Sequence, residues 1–358
     1  MFTKSKISIL FFIAMLVISA CGSPAPEATQ APATEEVVAT EAPATEVAEE
    51  TSAYPVTIAH KYGETTITEK PERIVLVGLT EQDALLALGV VPVATREWYG
   101  EKPGAIFTWA EDKLNGAELP VVLPGAELNF EQIAGLNPDI IIGLYAGITQ
   151  EEFDTLSKIA PVVAQPAEYA DWGIPWQELT RTIGLIVGES ARAEELITGV
   201  EEKFAAMREA HPEFQGATGV VASSWGYPDN YWVYGPEDSR GRFMTELGFV
   251  IPEEVNQLAV EQDSFGATVS LERLDLVDLD VTIWFAGNAE QSEAYRAEPI
   301  YQQLKLYSEN RDIFLTDTDP IYDAFNFSSV LSLPFALDGL EEQLSLAVDG
   351  DPATVYTK

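Results

Sequence analysis

The stretch SARAEELITGVEEKFAAMREA, Ser190 to Ala210, reads as one uninterrupted helix. Ser190 suits the N-cap after the break at Gly188. Ala193, Leu196, Ile197, Val200, Phe204 and Met207 recur at three- and four-residue spacing, which gathers them on one stripe. Glu194, Glu195, Glu201, Glu202, Lys203 and Arg208 fill the other faces, and Pro212 stops the helix just past its end. About 21 residues make a rod of roughly 30 Å, close to the width of a small domain.

Similar material flanks this rod on both sides. Before it, NFEQIAGL (Asn129–Leu136) leads to PDIII (Pro138–Ile142). After it, SLERLDLV (Ser270–Val277) leads to LDVTI (Leu279–Ile283), and the register holds without a gap. Each copy has an N-cap, an apolar residue, a Glu, a short helix, an Asp and a buried-type strand. The repeat predicts an α/β fold of two related lobes with mainly parallel sheets, joined by the rod. A joint between lobes leaves a cleft, the usual seat of a small ligand.

The chain of 358 residues is long enough for two cores, and 46% hydrophobic residues mark it as globular. Its net charge of −38 argues against nucleic acid, whose binding rests on basic patches. Residues 1–20 read as a targeting segment, with Lys4 and Lys6 before the apolar run Ile7–Val17, which is short for a membrane span. Ile18, Ser19 and Ala20 precede Cys21, the single cysteine, in a pattern that resembles a bacterial lipobox. Cleavage before Cys21 and its lipidation would anchor the protein to a membrane. Residues 21–53 form an Ala/Pro/Thr/Glu-rich linker with seven acidic residues and no basic one, too polar to order itself. The expected division of the rest is a first lobe over 54–174, a helical segment over 175–212, and a second lobe over 213–358.

In the first lobe, Val56–Ala59 and Glu64–Thr68 alternate around Tyr62-Gly63 as a hairpin. Ile74–Gly78 is a buried-type strand, Thr80 caps a helix through Leu88, and Val90–Ala94 is the next strand. YGETTI (Tyr62–Ile67), KPERIV (Lys70–Val75) and ALLALGVVPV (Ala84–Val93) come first in a series of motifs. LNPDIII (Leu136–Ile142), LSKIAPVV (Leu156–Val163) and NRDIF (Asn310–Phe314) follow in order. The series resembles substrate-binding proteins of ABC transporters in the iron-siderophore and cobalamin class. The resemblance implies two α/β lobes bridged by one long helix, a ligand in the cleft, and delivery to a permease dimer.

Ligands of open α/β sheets lie beyond the carboxyl ends of the strands. That rule selects Arg96, Trp98 and Tyr145 in the first lobe. In the second it selects Trp225, Tyr231, Trp232, Arg240, Trp284, Tyr322, Phe325 and Asn326. Trp and Tyr offer apolar area with a hydrogen-bonding tip, and Arg a fork of donors for chelate oxygens. His60 and His211 are the two histidines and neither follows a sheet strand, which disfavours a bare-metal receptor. No metal site, cofactor or catalytic residue is expected. The cargo expected is a ferric siderophore, with cobalamin or haem as alternatives. The acidic surface favours a neutral or cationic chelate, such as a hydroxamate, over a trianionic catecholate. An exported lipid-anchored hydrolase is the rival of another class, but the chain has no Gly-x-Ser-x-Gly or His-Glu-x-x-His motif. The resemblance further implies acidic residues that meet permease arginines: Glu151 or Glu152 in the first lobe and Glu246 in the second. A monomer is expected. Ser328–Val348 reads as a closing helix broken at Pro334.

Overall fold

The computed structural model describes residues 53–354 and 356, apart from 225, 226 and 263. The targeting segment, Cys21 and the linker up to residue 52 therefore lie outside the described residues, as does Trp225. Thr51–Lys358 forms one compact unit.

The first half builds a hairpin, β1 (Val56–His60) and β2 (Gly63–Ile67), then β3 (Ile74–Leu76), α1 (Glu81–Ala87), β4 (Ala94–Arg96) and β5 (Val121–Leu123). It continues with α2 (Phe130–Gly135), β6 (Ile140–Gly143), α3 (Gln150–Leu156) and β7 (Val162–Ala164). Two helices follow back to back, α4 (Trp176–Val187) and α5 (Ser190–Ala210). The second half runs β8 (Gly219–Ser223), β9 (Asn230–Tyr234), α6 (Ser239–Glu246), α7 (Glu253–Glu261), β10 (Gly266–Ser270) and β11 (Val281–Phe285). It closes with α8 (Ala289–Ala297), α9 (Lys305–Ser308), β12 (Asp312–Leu315), α10 (Pro320–Phe327) and α11 (Ser332–Asp349).

The two main sheets have matching strand orders, β5-β4-β3-β6-β7 and β10-β9-β8-β11-β12. The strands that end the two sequence repeats, β6 and β11, each occupy the fourth place. The first sheet is parallel throughout. In the second, β9 runs antiparallel to both of its neighbours, β8 and β10. The repeat is thus topological, although its two short helices differ. The first is α2, capped by the Asn129 side chain, whereas the second is a 3-10 segment, Leu271–Val277, kinked at Arg273.

Helix α5 buries Ala193, Ile197, Val200, Phe204 and Met207, with Leu196 half-buried beside them. These residues belong to one core that holds Ile74, Ile140 and Ile142 of the first sheet and Val221, Val281, Ile283 and Ile313 of the second. The opposite sheet faces build separate cores, around Val75, Ile141 and Val162 in one lobe and Tyr231, Val233 and Trp284 in the other. Lys203 pairs with Asp338 of α11 at 2.6 Å, and Glu194 with Arg181 of α4, also at 2.6 Å.

Several sequence expectations are displaced. Ser190 is the first helical residue, not the cap, and Glu189 at the cap position makes no side-chain cap bond. The strand expected at Val90–Ala94 begins at Ala94 instead, so Arg96 ends β4 and does not follow it. Pro334 does not break the closing helix. It is the third residue of α11, in the first turn, where a missing N–H removes no helical bond.

Phe204→Ala should lower stability by about 3–5 kcal/mol, because it empties the centre of the stripe where Phe204 meets Phe243 edge-on at 5.5 Å. Glu202→Ala on the exposed face should stay within about 0.5 kcal/mol. Urea unfolding of the two variants checks the pair.

Candidate functional site: the interlobe cleft

A cleft of about 350 Å³ opens between the lobes. From the first lobe Leu79, Arg96, Glu97, Trp98, Gly125, Tyr145 and Trp172 line it, and from the second Arg240 and Phe265. The first-lobe residues follow or end β3, β4, β5, β6 and β7, where the strand-end rule looks for a ligand. A larger groove, about 460 Å³, lies at the amino ends of the first sheet around Thr66–Glu72 and Asp139, and it presents no aromatic side chain.

Arg96 is fixed by carbonyls. Its Nη1 donates to Val77 O at 3.0 Å, and Nε and Nη2 donate to Gly125 O at 3.2 and 2.8 Å. Half-burial pulls its pKa down, while Glu152 and Glu81 pull it up from longer range. Trp98 packs against Tyr145 at 6.0 Å and reaches Phe327 of α10 at 5.8 Å. Tyr145 is buried, which raises its hydroxyl pKa despite the facing Arg240. Trp172 is 38% exposed. Its ring lies on Gly147, where a Cβ would come within 2.4 Å of it. Its backbone holds a φ of 59°, rare for a bulky residue and a form of strain found at ligand clamps.

Across the cleft, Arg240 enters near the start of α6. Its Nε donates to Asp238 Oδ1 at 2.6 Å, its Nη2 to Asp238 Oδ2, and its Nη1 to Asn326 Oδ1 at 2.8 Å. The guanidinium also lies 4.3 Å from the Tyr234 ring centre. A bidentate carboxylate thus neutralises this cation inside the wall. Asn326 orients Arg240 and does not itself line the cavity. Trp232 stands behind Phe265 at 5.7 Å, and Tyr322 meets Phe285 edge-on at 4.9 Å.

Three expected ligand contacts are core residues instead. Tyr231 is fully buried on the far face of β9, and its hydroxyl donates to Arg273 O at 2.7 Å. Trp284 lies within β11, in the same outer core, against Tyr295 and Phe314. Phe325 is buried between Phe243 and Phe285. Strand alternation explains the first: Tyr231 and Val233 face one side of β9, Trp232 and Tyr234 the other. Glu246 is half-buried, and its carboxylate accepts from Trp176 Nε1 at 3.3 Å and Gln177 Nε2 at 3.1 Å. Glu152 closes the capping box of α3 with Thr149, and Glu151 beside it is exposed. Neither histidine lines the cleft, and no cluster of metal-ligating side chains occurs among the described residues.

Trp172 and Phe265 of the wall lie outside the set that the sequence selects. Trp172 obeys the strand-end rule for β7, but a long connection separates it from that strand. Phe265 precedes β10, whose sequence GATVS gives no apolar run. Beside the cleft the lobes are tied directly. Tyr99 OH donates to Asp323 O at 3.1 Å, and Lys102 pairs with the Asp323 carboxylate at 3.3 Å. The buried Asp83 carboxylate accepts from Trp109 Nε1 at 2.7 Å and from Ser329 Oγ at the entry to α11.

The chain belongs to the periplasmic binding protein family, whose model matches residues 74–319. It is 27% identical over 302 residues to the probable siderophore-binding lipoprotein YfiY of Bacillus subtilis, covering 82% of this chain and 83% of that one. A periplasmic solute binding protein from Mycobacterium smegmatis is similar in structure, with a TM-score of 0.72 and 33% identity over 82% of this chain and 98% of its own. Streptococcus pneumoniae PiaA in complex with ferrichrome aligns with a TM-score of 0.71 and 27% identity, over 82% of this chain and 99% of that chain.

Burial pushes the Asp83 carboxyl up to about 6, against the two hydrogen bonds that pull it down. The folded state therefore binds this proton more tightly than the unfolded chain. The stability it contributes is full below about pH 4 and is lost as pH rises through about 6. Asp83→Asn keeps an acceptor for Ser329 and Trp109 but cannot ionise. The difference between wild type and Asp83→Asn in urea unfolding should shift in favour of the variant from pH 4 to pH 7; a constant difference contradicts this.

Proposed function

We propose that this protein captures a ferric siderophore in the interlobe cleft and hands it, chemically unchanged, to an ABC-transporter permease dimer. The observation that carries this reading is the wall pairing. Arg96, Trp98, Tyr145 and Trp172 from one lobe face Arg240 and Phe265 from the other. Aromatic faces suit the apolar flank of a large chelate, and the guanidinium of Arg96 suits its oxygens. The ligand class follows from charge. Arg240 is cancelled by Asp238, and Glu97 offsets Arg96, so the formal charges of this wall sum to nothing. A neutral ferric trihydroxamate meets no penalty there, whereas a trianionic catecholate would need several uncompensated cations. The PiaA relative, solved with ferrichrome, supports the same class.

The protein works outside the cytoplasmic membrane as a monomer, tethered through lipidated Cys21 and the acidic linker ahead of residue 54. The lobes divide at 54–174 and 213–358, with 175–212 between them. Glu151, exposed at the start of α3, docks the first lobe on the permease. Glu246, its carboxylate oriented by Trp176 and Gln177, is the contact of the second lobe.

Titration of intrinsic fluorescence with ferrichrome, ferric enterobactin, cobalamin and haem tests the reading. Ferrichrome should quench at micromolar concentration or below, and Trp98→Ala should weaken it roughly tenfold. Quenching by none of the four contradicts the proposal, and quenching by cobalamin or haem alone reassigns the cargo. Glu151→Arg should abolish uptake while leaving ferrichrome affinity intact; undiminished uptake removes Glu151 from docking.

A further inference from the structure

We propose that Glu81, which never touches the cleft, is its positioning residue: the buried carboxylate holds the outgoing ends of β3 and β6, and so sets where Leu79 and Tyr145 stand. Strands β3 and β6 are parallel neighbours, paired from Ile74–Ile140 to Leu76–Ile142. Past those pairs Val77 N still donates to Ile142 O at 2.8 Å and Leu79 N to Tyr145 O at 3.2 Å, and the chain then leaves the sheet in two loops that carry Leu79 and Tyr145 into the cleft wall. Glu81 is buried beside these two loops and adds to that direct tie. Its Oε1 accepts from Leu144 N at 2.7 Å and from Tyr145 N at 2.8 Å, and its Oε2 accepts from Thr80 N at 3.0 Å. One side chain thus accepts from three backbone N–H groups that the sheet leaves unpaired. Gly78 makes room for it, since a Cβ there would lie 1.7 Å from Oε1.

A carboxylate is an odd choice for a purely structural plug, because burying it is expensive. Glu81 is fully buried, and no salt bridge offsets its charge among the described residues. The cation that feels it is Arg96 of β4, across the cleft floor. The other ionisable groups nearby are Tyr145 after β6 and Asp83 on α1 itself, the latter held by Ser329 and Trp109. Helix α4, packed on α1, adds Leu179 and Ile183 to the shared core and keeps its Arg181 paired with Glu178 and Glu194. The ionised form of Glu81 therefore does two things: it accepts three N–H groups, and it sets a negative charge opposite the Arg96 cation. Burial pushes its carboxyl up to about 7. Protonation as pH falls through neutral removes one acceptor and the charge together, and the loops relax.

This inference rests on the cleft being the ligand site, so the test has one arm with a ligand and one without. Ferrichrome is the probe. Wild-type affinity should fall roughly fivefold to tenfold from pH 8 to pH 6. Glu81→Gln, which keeps Oε1 but presents an N–H to Thr80 N–H, should bind weakly at pH 8 and lose that pH dependence. Residue-resolved hydrogen exchange gives the second arm. The Leu144 and Tyr145 amides of wild type should lose protection over the same pH range, and this needs no folded variant and no ligand. If no probe binds but protection falls with pH, the hold on the loops stands and the cargo reading fails. Amide protection that ignores pH overturns the proposal. So does a Glu81→Gln protein that loses protection yet binds ferrichrome as wild type does, since Glu81 would then serve the fold alone.

Discussion

One apolar stripe on one helix decides this architecture. Two sheets each have an inner face to bury, and the stripe of α5 lies in the core that both faces share. Such a helix cannot follow one sheet without carrying the other, because Ile197, Val200 and Phe204 are packed within a single continuous interior. The carboxyl ends of the strands then face each other across a gap instead of closing over it. The cleft is what remains when two look-alike lobes are held by the same bar.

The ties beside the gap fit that picture. Lys102 and Tyr99 reach Asp323, and Trp98, Phe107 and Trp109 gather on Phe327. The ring cluster places Trp98 of the cleft two aromatic contacts from the Asp83–Ser329 link. The polar wall is prepared in advance as well. Arg96 is locked on Val77 and Gly125 carbonyls, and Arg240 on Asp238 and Asn326. Side chains that are already fixed lose little freedom when a cargo arrives, which favours tight binding without a large closure.

The sequence made the bar, the repeat and the buried parallel strands legible because each leaves a long periodic or continuous apolar signal. Ile140–Ile142 and Val281–Phe285 are of this kind. Edge strands β5 and β10 leave a weaker signal: β5 is an apolar run of only three residues, and Gly266–Ser270 holds one large apolar residue, Val269. The site was legible in its rule more than in its members. Arg96, Trp98, Tyr145 and Arg240 follow from strand ends, but the direction of a side chain depends on pleat phase, and Tyr231 falls on the wrong side of β9. Glu246 and Glu81 show the same limit for acids. With 58 acidic residues in the chain, composition marks nearly all as surface, and only packing reveals the few that anchor a neighbour.

The most direct test is a crystal structure of the protein grown with ferrichrome. The iron chelate should lie between Trp98 and Phe265, within reach of Arg96, with α5 unbroken and the two sheets in nearly their present orientation. A chelate bound outside the cleft, or lobes that meet only after α5 breaks, would overturn the role assigned to the cleft.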